Sequence, residues 1–153
     1  MAKWGLEFVN SVLEQKIPEP PFAAHLKLRD GLRFETIEAG RVVQVWTVAP
    51  HFTLPDGIVH GGLLCSVADV SQAMALFTTH EAFEAWSTLD FHTRFVRPIK
   101  SDDAVRIESK VVNKSRHFAV VETTFSTTME GKLLATVTGG WTKPDRQRNA
   151  LPS

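Results

Sequence analysis

Apolar positions recur at helical spacing near the N-terminus, at Leu6, Val9 and Leu13 within the segment from Trp4 to Lys16. The run Ile17-Pro18-Glu19-Pro20-Pro21 then ends that pattern, because proline lacks an amide proton and restricts its predecessor. One short helix and a stop are predicted. From Leu32 to Ala39, and again from Arg41 to Val48, the period shortens to alternation with β-branched content, and Gly40 stands between the two runs. That pattern predicts a hairpin. After a loop from Pro50 to Gly57, Gly61 and Gly62 open a stretch free of helix breakers as far as Thr79, the longest predicted helix. Four more strand-like runs follow: Ser87 to Val96, Ala104 to Val112, Phe118 to Thr127 and Leu133 to Trp141. Pro98, Asn113-Lys114-Ser115 and Glu130-Gly131-Lys132 separate them.

Strands gathered around one helix that is apolar on most faces point to an α+β domain in which a strongly curved antiparallel sheet wraps that helix. A single domain over residues 1–142 is expected, with residues 143–153 as a mobile polar tail. The length of 153 residues suits one core. With 43% apolar and 22% charged residues, a disordered or collagen-like chain is excluded. Lys plus Arg (17) balance Asp plus Glu (17), so no basic face for nucleic acid is indicated. The most apolar stretch, Leu63 to Phe77, is interrupted by Ser66, Asp69, Ser71 and Gln72, and no membrane span is expected. Cys65 is the single cysteine and the N-terminus lacks a signal-peptide pattern, which makes the cytoplasm the expected location.

The long helix carries the candidate chemistry. Its first backbone amides, at Gly61 and Gly62 after His60, have no intrahelical acceptors, and the helix dipole adds about half a positive charge there. Such an end attracts an oxyanion or a polarised carbonyl, and glycine lets a ligand approach the backbone. The same glycines also permit close helix–sheet packing. Asp69 lies inside the apolar run among Val67, Ala68 and Val70, with no basic residue three or four positions away. It shares a narrow stripe with Ser66 and Gln72 or Ala73, where a carboxylate is costly unless it is used, paired or turned to solvent. The histidines (His25, His51, His60, His80, His92, His117) show no metal-ligand spacing on one helix, and there is no phosphate loop or Gly-x-Ser-x-Gly elbow. No metal and no cofactor are expected.

The stretch Gly57-Ile58-Val59-His60-Gly61-Gly62-Leu63-Leu64-Cys65-Ser66-Val67-Ala68-Asp69 resembles the signature of hotdog-fold acyl-CoA thioesterases of the phenylacetic-acid-pathway (PaaI-like) type. The resemblance extends from about Pro20 to Trp141, through the pair Arg97-Pro98, the turn Asn113 to Arg116 and the run Gly131 to Thr136. It implies a hotdog fold, dimerisation, and hydrolysis of acyl-CoA to free acid and CoA, coenzyme A being part of the substrate. It further implies Asp69 as nucleophile or general base and the Gly61 amide as oxyanion donor. His60 either assists at the thioester carbonyl or caps the helix, and Gly62 adds a substrate contact. Thr88 matches a Ser or Thr position that orients the carboxylate or its water, with Ser87 as the one-residue alternative. Lys114 and Arg116 fall where relatives bind coenzyme A phosphates, with Arg97 or Arg94 as further contributors. One departure stands out: relatives commonly carry Asn six residues before the histidine, where this chain has Leu54. It motivates the alternative of a non-catalytic acyl-CoA binding module; a hydratase of the same fold is a second alternative.

Asp69 follows Gly61 by eight positions, roughly 12 Å along a helix at about 1.5 Å per residue. Both groups must lie about 3 Å from one reacting centre, so a single helix cannot supply them. Two antiparallel copies related by a twofold axis can, which predicts a homodimer with two shared sites, with a tetramer as a further assembly. A small, medium or aromatic acyl group is expected, with Phe52, Met74, Phe77 and Phe83 as candidates to line its pocket.

Overall fold

The computed structural model describes residues 3–144. In chain order its elements are α1 (Lys3–Leu13), α2 (Pro21–His25), β1 (Leu32–Glu38), β2 (Arg41–Thr47), a 3-10 turn (Pro50–Phe52), α3 (Gly61–Phe77), β3 (Ser87–Phe95), β4 (Ala104–Lys114), β5 (Phe118–Thr127) and β6 (Leu133–Thr142). The six strands form one antiparallel sheet in the order β1-β2-β4-β5-β6-β3. Helix α3 packs on β2, β4, β5 and β6, and β3, which follows it in the chain, returns to the far edge beside β6. This is the hotdog architecture.

Local chemistry explains the connections. Glu38 pairs with Arg41 across the turn Ala39-Gly40, and Gly40 has φ +77°, a left-handed conformation that glycine takes without cost. On the sheet face toward α3, Trp46, Val105, Ile107, Phe125 and Val137 meet Leu64, Val67 and Ala68 of the helix. Further along, Val42, Val121 and Trp141 meet Ala75 and Leu76. The small Ala68 and Ala75 let the helix approach the sheet closely, and both are fully buried.

Two polar groups of α3 enter this interface with partners. Ser109 donates to Ser71 at 2.8 Å and shares a bond with Thr123 at 2.7 Å. Gln72 donates to the Val137 carbonyl at 3.1 Å and accepts from Trp141 Nε1 at 2.9 Å. Gly139 makes room for that amide, since a Cβ there would stand 1.9 Å from Gln72 Oε1.

The N-terminal region departs from the sequence expectation. Helix α1 ends at Leu13, before the prolines as expected, but it buries Gly5 and Val12 beside Val9, while Leu6 and Leu13 stay half-buried. Gly5 decides this rotation: its amide donates to the His80 carbonyl at 3.0 Å, and a Cβ there would lie 1.9 Å from the Phe77 carbonyl oxygen. The proline run also starts an element, because Pro21 occupies the first turn of α2, where a missing amide proton costs nothing. At the other end, Lys143 pairs with Glu84 at 3.0 Å, so the first residue of the expected tail is held; residues 145–153 of that tail lie outside the described residues. Among the described residues no helix is long and apolar enough to cross a membrane.

Candidate active site

Asp69 sits in the middle of α3, half-buried, on the face left open by the sheet. Thr88 Oγ1 donates to Asp69 Oδ1 at 2.6 Å, a short bond as expected for a hydroxyl on a carboxylate. Burial pushes the Asp69 carboxyl above the ordinary carboxylate range, and the Thr88 hydrogen bond opposes that push without cancelling it.

A β-bulge puts Thr88 there. In β3, Phe95, Thr93 and Phe91 pair in register with Ala135, Val137 and Gly139, whose side of β6 faces the helix. Strict alternation would carry that face back to Leu89 and Ser87. The register slips between Thr88 and Asp90, so Leu89 is extra and Thr88 pairs with Trp141 on the helix side, while Asp90 pairs with Gly140. Thr88, and not Ser87, meets the carboxylate.

Asp69 and Thr88 open onto a cavity of about 770 Å³, within the usual range for small-molecule sites. Val70, Ala73, Met74 and Phe77 of α3 line it, as do Phe22, Ala23 and Leu28, from α2 and the turn after it. Arg29 braces the latter segment by pairing with Glu19 at 3.0 Å and donating to the Val12 carbonyl at 3.0 Å. Of the four residues expected to line an acyl pocket, Met74 and Phe77 do so. Phe52 is instead core, edge-to-face with Trp46 at 5.2 Å, and Phe83 lies on the surface against Trp4.

The start of α3 is a separate place. His60 is the N-cap, and its Nδ1 accepts from the Gly62 amide at 3.1 Å, so His60 acts as a cap and the Gly62 amide is engaged. The Gly61 amide has no acceptor among the described residues. It borders a second cavity of about 400 Å³ lined by Ile58, Phe95, Arg97 and neighbours, which does not include Asp69. The glycines also have a packing reason: a Cβ on Gly61 would stand 3.0 Å from the Phe95 ring, and one on Gly62 3.1 Å from the His60 ring. Leu54 lies in the exposed loop before the helix and lines neither cavity.

The basic residues are dispersed. Arg97 is beside the helix start and donates to the Leu133 carbonyl at 2.6 Å. Lys114 is at the opposite end, donating to Thr79 Oγ1 at 2.9 Å with its ammonium 5.8 Å from the Trp86 ring centre, and desolvation holds its pKa below the usual lysine range. Arg116 is exposed in the β4–β5 turn, and Arg94 is exposed on β3. One chain therefore does not gather them.

Residues 56–132 match the family described as the thioesterase superfamily. A protein of Saccharolobus solfataricus named as an esterase is 31% identical over 105 residues, covering 69% of this chain and 73% of that protein. A Ralstonia eutropha structure, described as a thioesterase related to phenylacetic acid degradation, is 26% identical with a TM-score of 0.73, covering 88% of this chain and 98% of that one. A Streptococcus pneumoniae thioesterase protein solved with coenzyme A shares the fold at 20% identity and a TM-score of 0.67, covering 73% of this chain and 87% of that one.

Proposed function

Because the chain belongs to the thioesterase superfamily, we propose that it hydrolyses acyl-CoA with small, medium or aromatic acyl groups, at sites shared between two copies of the chain. The observation that carries this reading is the separation of two complementary features. A half-buried carboxylate held by Thr88 opens on an apolar cavity, and an unpaired helix-start amide at Gly61 opens on another. A twofold pairing of α3 with its copy would join them. The β3 edge supports such a pairing, since its outer edge is unpaired and Leu89, Phe95 and Val96 are exposed along it. Coenzyme A bound to the Streptococcus pneumoniae protein of the same fold supports the thioester class.

In this reading the acyl chain lies in the larger cavity with its carbonyl carbon at Asp69. The carboxylate takes a proton from water as the oxygen attacks, the oxyanion forms against the Gly61 amide of the other copy, and the carbon–sulfur bond breaks. Coenzyme A leaves as the thiol, taking the proton back. Direct attack by Asp69 uses the same atoms through a mixed anhydride that water then opens. Arg97 and Arg116, with Arg94 as a further contributor, are exposed cations available to the nucleotide end.

The test joins activity to assembly. Gly61 is the first helical residue and His60 has φ −65°, ψ 129°, so Gly61→Pro fits the backbone and removes one amide proton, and Gly61→Ala, which brings the same Cβ against the Phe95 ring but keeps the amide, is the steric control. Thiol release from a panel of acyl-CoAs should be lost in both Asp69→Asn and Gly61→Pro. Remixing the two through unfolding and refolding should restore roughly a quarter of wild-type turnover, from heterodimers with one intact site. No recovery despite proven heterodimers would refute the shared site, and no hydrolysis by the wild type of any acyl-CoA would refute the function.

A further inference from the structure

Among the polar side chains that line the larger cavity, the buried Gln44 is not used by the proposed chemistry. Gln44 lies on β2 between Val42 and Trp46, on the sheet side facing α3, where alternation calls for an apolar residue. It is 1% exposed, and its Oε1 has no hydrogen-bond partner among the described residues. Its cross-strand neighbour Phe34 lines the same cavity. The other buried glutamine, Gln72, has both ends of its amide satisfied, so an orphaned amide is not a general habit of this core. Leaving such a group unpaired carries the full desolvation cost, which a ligand atom in the cavity would relieve.

Resting on the thioesterase reading, we infer that Gln44 is a specificity-determining residue, which selects acyl groups carrying a hydroxyl at the end remote from the thioester. A side-chain amide offers both a donor and an acceptor, and a hydroxyl answers either one. A carboxylate does not fit: Arg29 is the one cation in the lining and is engaged by Glu19 and the Val12 carbonyl, while Asp69 and Glu19 supply negative charge. A plain hydrocarbon fills the space and leaves the amide unpaired. A missing hydrogen bond of this kind discriminates more sharply than a missing methylene in an apolar pocket.

The experiment compares kcat/KM for matched pairs: hexanoyl-, octanoyl- and decanoyl-CoA and their ω-hydroxy forms, and phenylacetyl-CoA with its 4-hydroxy form. In the wild type at least one pair should favour the hydroxylated member about tenfold or more. Gln44→Leu, close in volume, should abolish that preference while keeping or raising the rate on the plain member. Gln44→Met serves as the second variant if leucine fails to fold. Equal rates within every wild-type pair, or a preference that survives both substitutions, overturns the assignment. A uniform loss on all substrates would also overturn it, by making Gln44 a fold support. Quenching of Trp86 and Trp141, which line the cavity, by the corresponding free acids reads the same preference without hydrolysis. If no thioester is cleaved but the hydroxylated acids still bind more tightly through Gln44, the catalytic reading fails and this one stands.

Discussion

Two neighbouring stretches of α3 treat polar side chains in opposite ways. Ser71 and Gln72 are sealed against the sheet, and every polar atom has a partner: Ser109 for one, the Val137 carbonyl and Trp141 Nε1 for the other. Asp69, less than one turn earlier, is half-buried with a single side-chain partner, Thr88, and opens on a cavity. The first arrangement holds α3 to the sheet. The second leaves a carboxylate partly desolvated and under-bonded, which raises its basicity and keeps it within reach of a ligand. Position on the same helix therefore does not set a residue's role; the number of partners the sheet offers does.

The sharpest way to break the comparison is at its two carboxamide-sized positions. Asp69→Asn is expected to lower kcat by about 10² or more, as for loss of a positioned base or nucleophile. Its melting temperature should match or exceed that of the wild type at pH 7. The reason is linkage: with its folded pKa raised, ionised Asp69 opposes folding above that pKa, and the penalty vanishes below about pH 3.9, where the carboxyl is protonated in both states. Gln72→Leu should do the reverse. It orphans Trp141 Nε1 and the Val137 carbonyl, costing about 2 to 4 kcal/mol in chemical unfolding, with little change in kcat per folded molecule. An Asp69→Asn protein with full turnover, or a Gln72→Leu protein as stable as wild type, would dissolve the distinction.

Thr88→Val should have a smaller effect, about tenfold in kcat, and a diagnostic pH profile. In the proposed mechanism the rate requires ionised Asp69, so it should fall as pH falls through the raised pKa. Thr88 pulls that pKa down; without its hydroxyl the acid limb should move to higher pH. A reduced rate with an unmoved limb would make Thr88 a packing residue. Smallest of all, Arg116→Ala should raise KM by no more than several-fold with kcat nearly unchanged. An exposed phosphate contact is uniform binding and is screened by salt. Equal impairment on an N-acetylcysteamine thioester, which lacks the nucleotide, would remove Arg116 from phosphate binding. Lys114, held by Thr79 and near Trp86, should affect stability more than KM.

Much of the framework was legible along the chain. The breaker-free run after Gly61-Gly62, the alternating runs and the glycine turns specify α3 and the strands through local propensity and period. Asp69 was conspicuous because an acid amid valines and alanines violates the pattern around it. The N-terminal stripe is centred on Val9 as the spacing predicts, but its rotation toward Gly5 and Val12 is set by a long-range contact: Gly5 against Phe77 and His80, neither of which a helical wheel contains.

By itself, then, the sequence determined the order and type of the major elements, the signature around His60-Gly61-Gly62 and the oddity of Asp69, all of which are read within one turn or one strand. Tertiary structure alone decided which strand residue meets the carboxylate, because Ser87 and Thr88 differ only by the bulge at Leu89, which depends on pairing with β6 more than fifty residues away. It likewise decided that Lys114 serves Thr79 and Trp86, that Phe52 is core, and that Gln44 ends unpaired in a cavity. Hydrogen-bond satisfaction is a property of what surrounds an atom in space, and the chain records that surrounding only once it has folded.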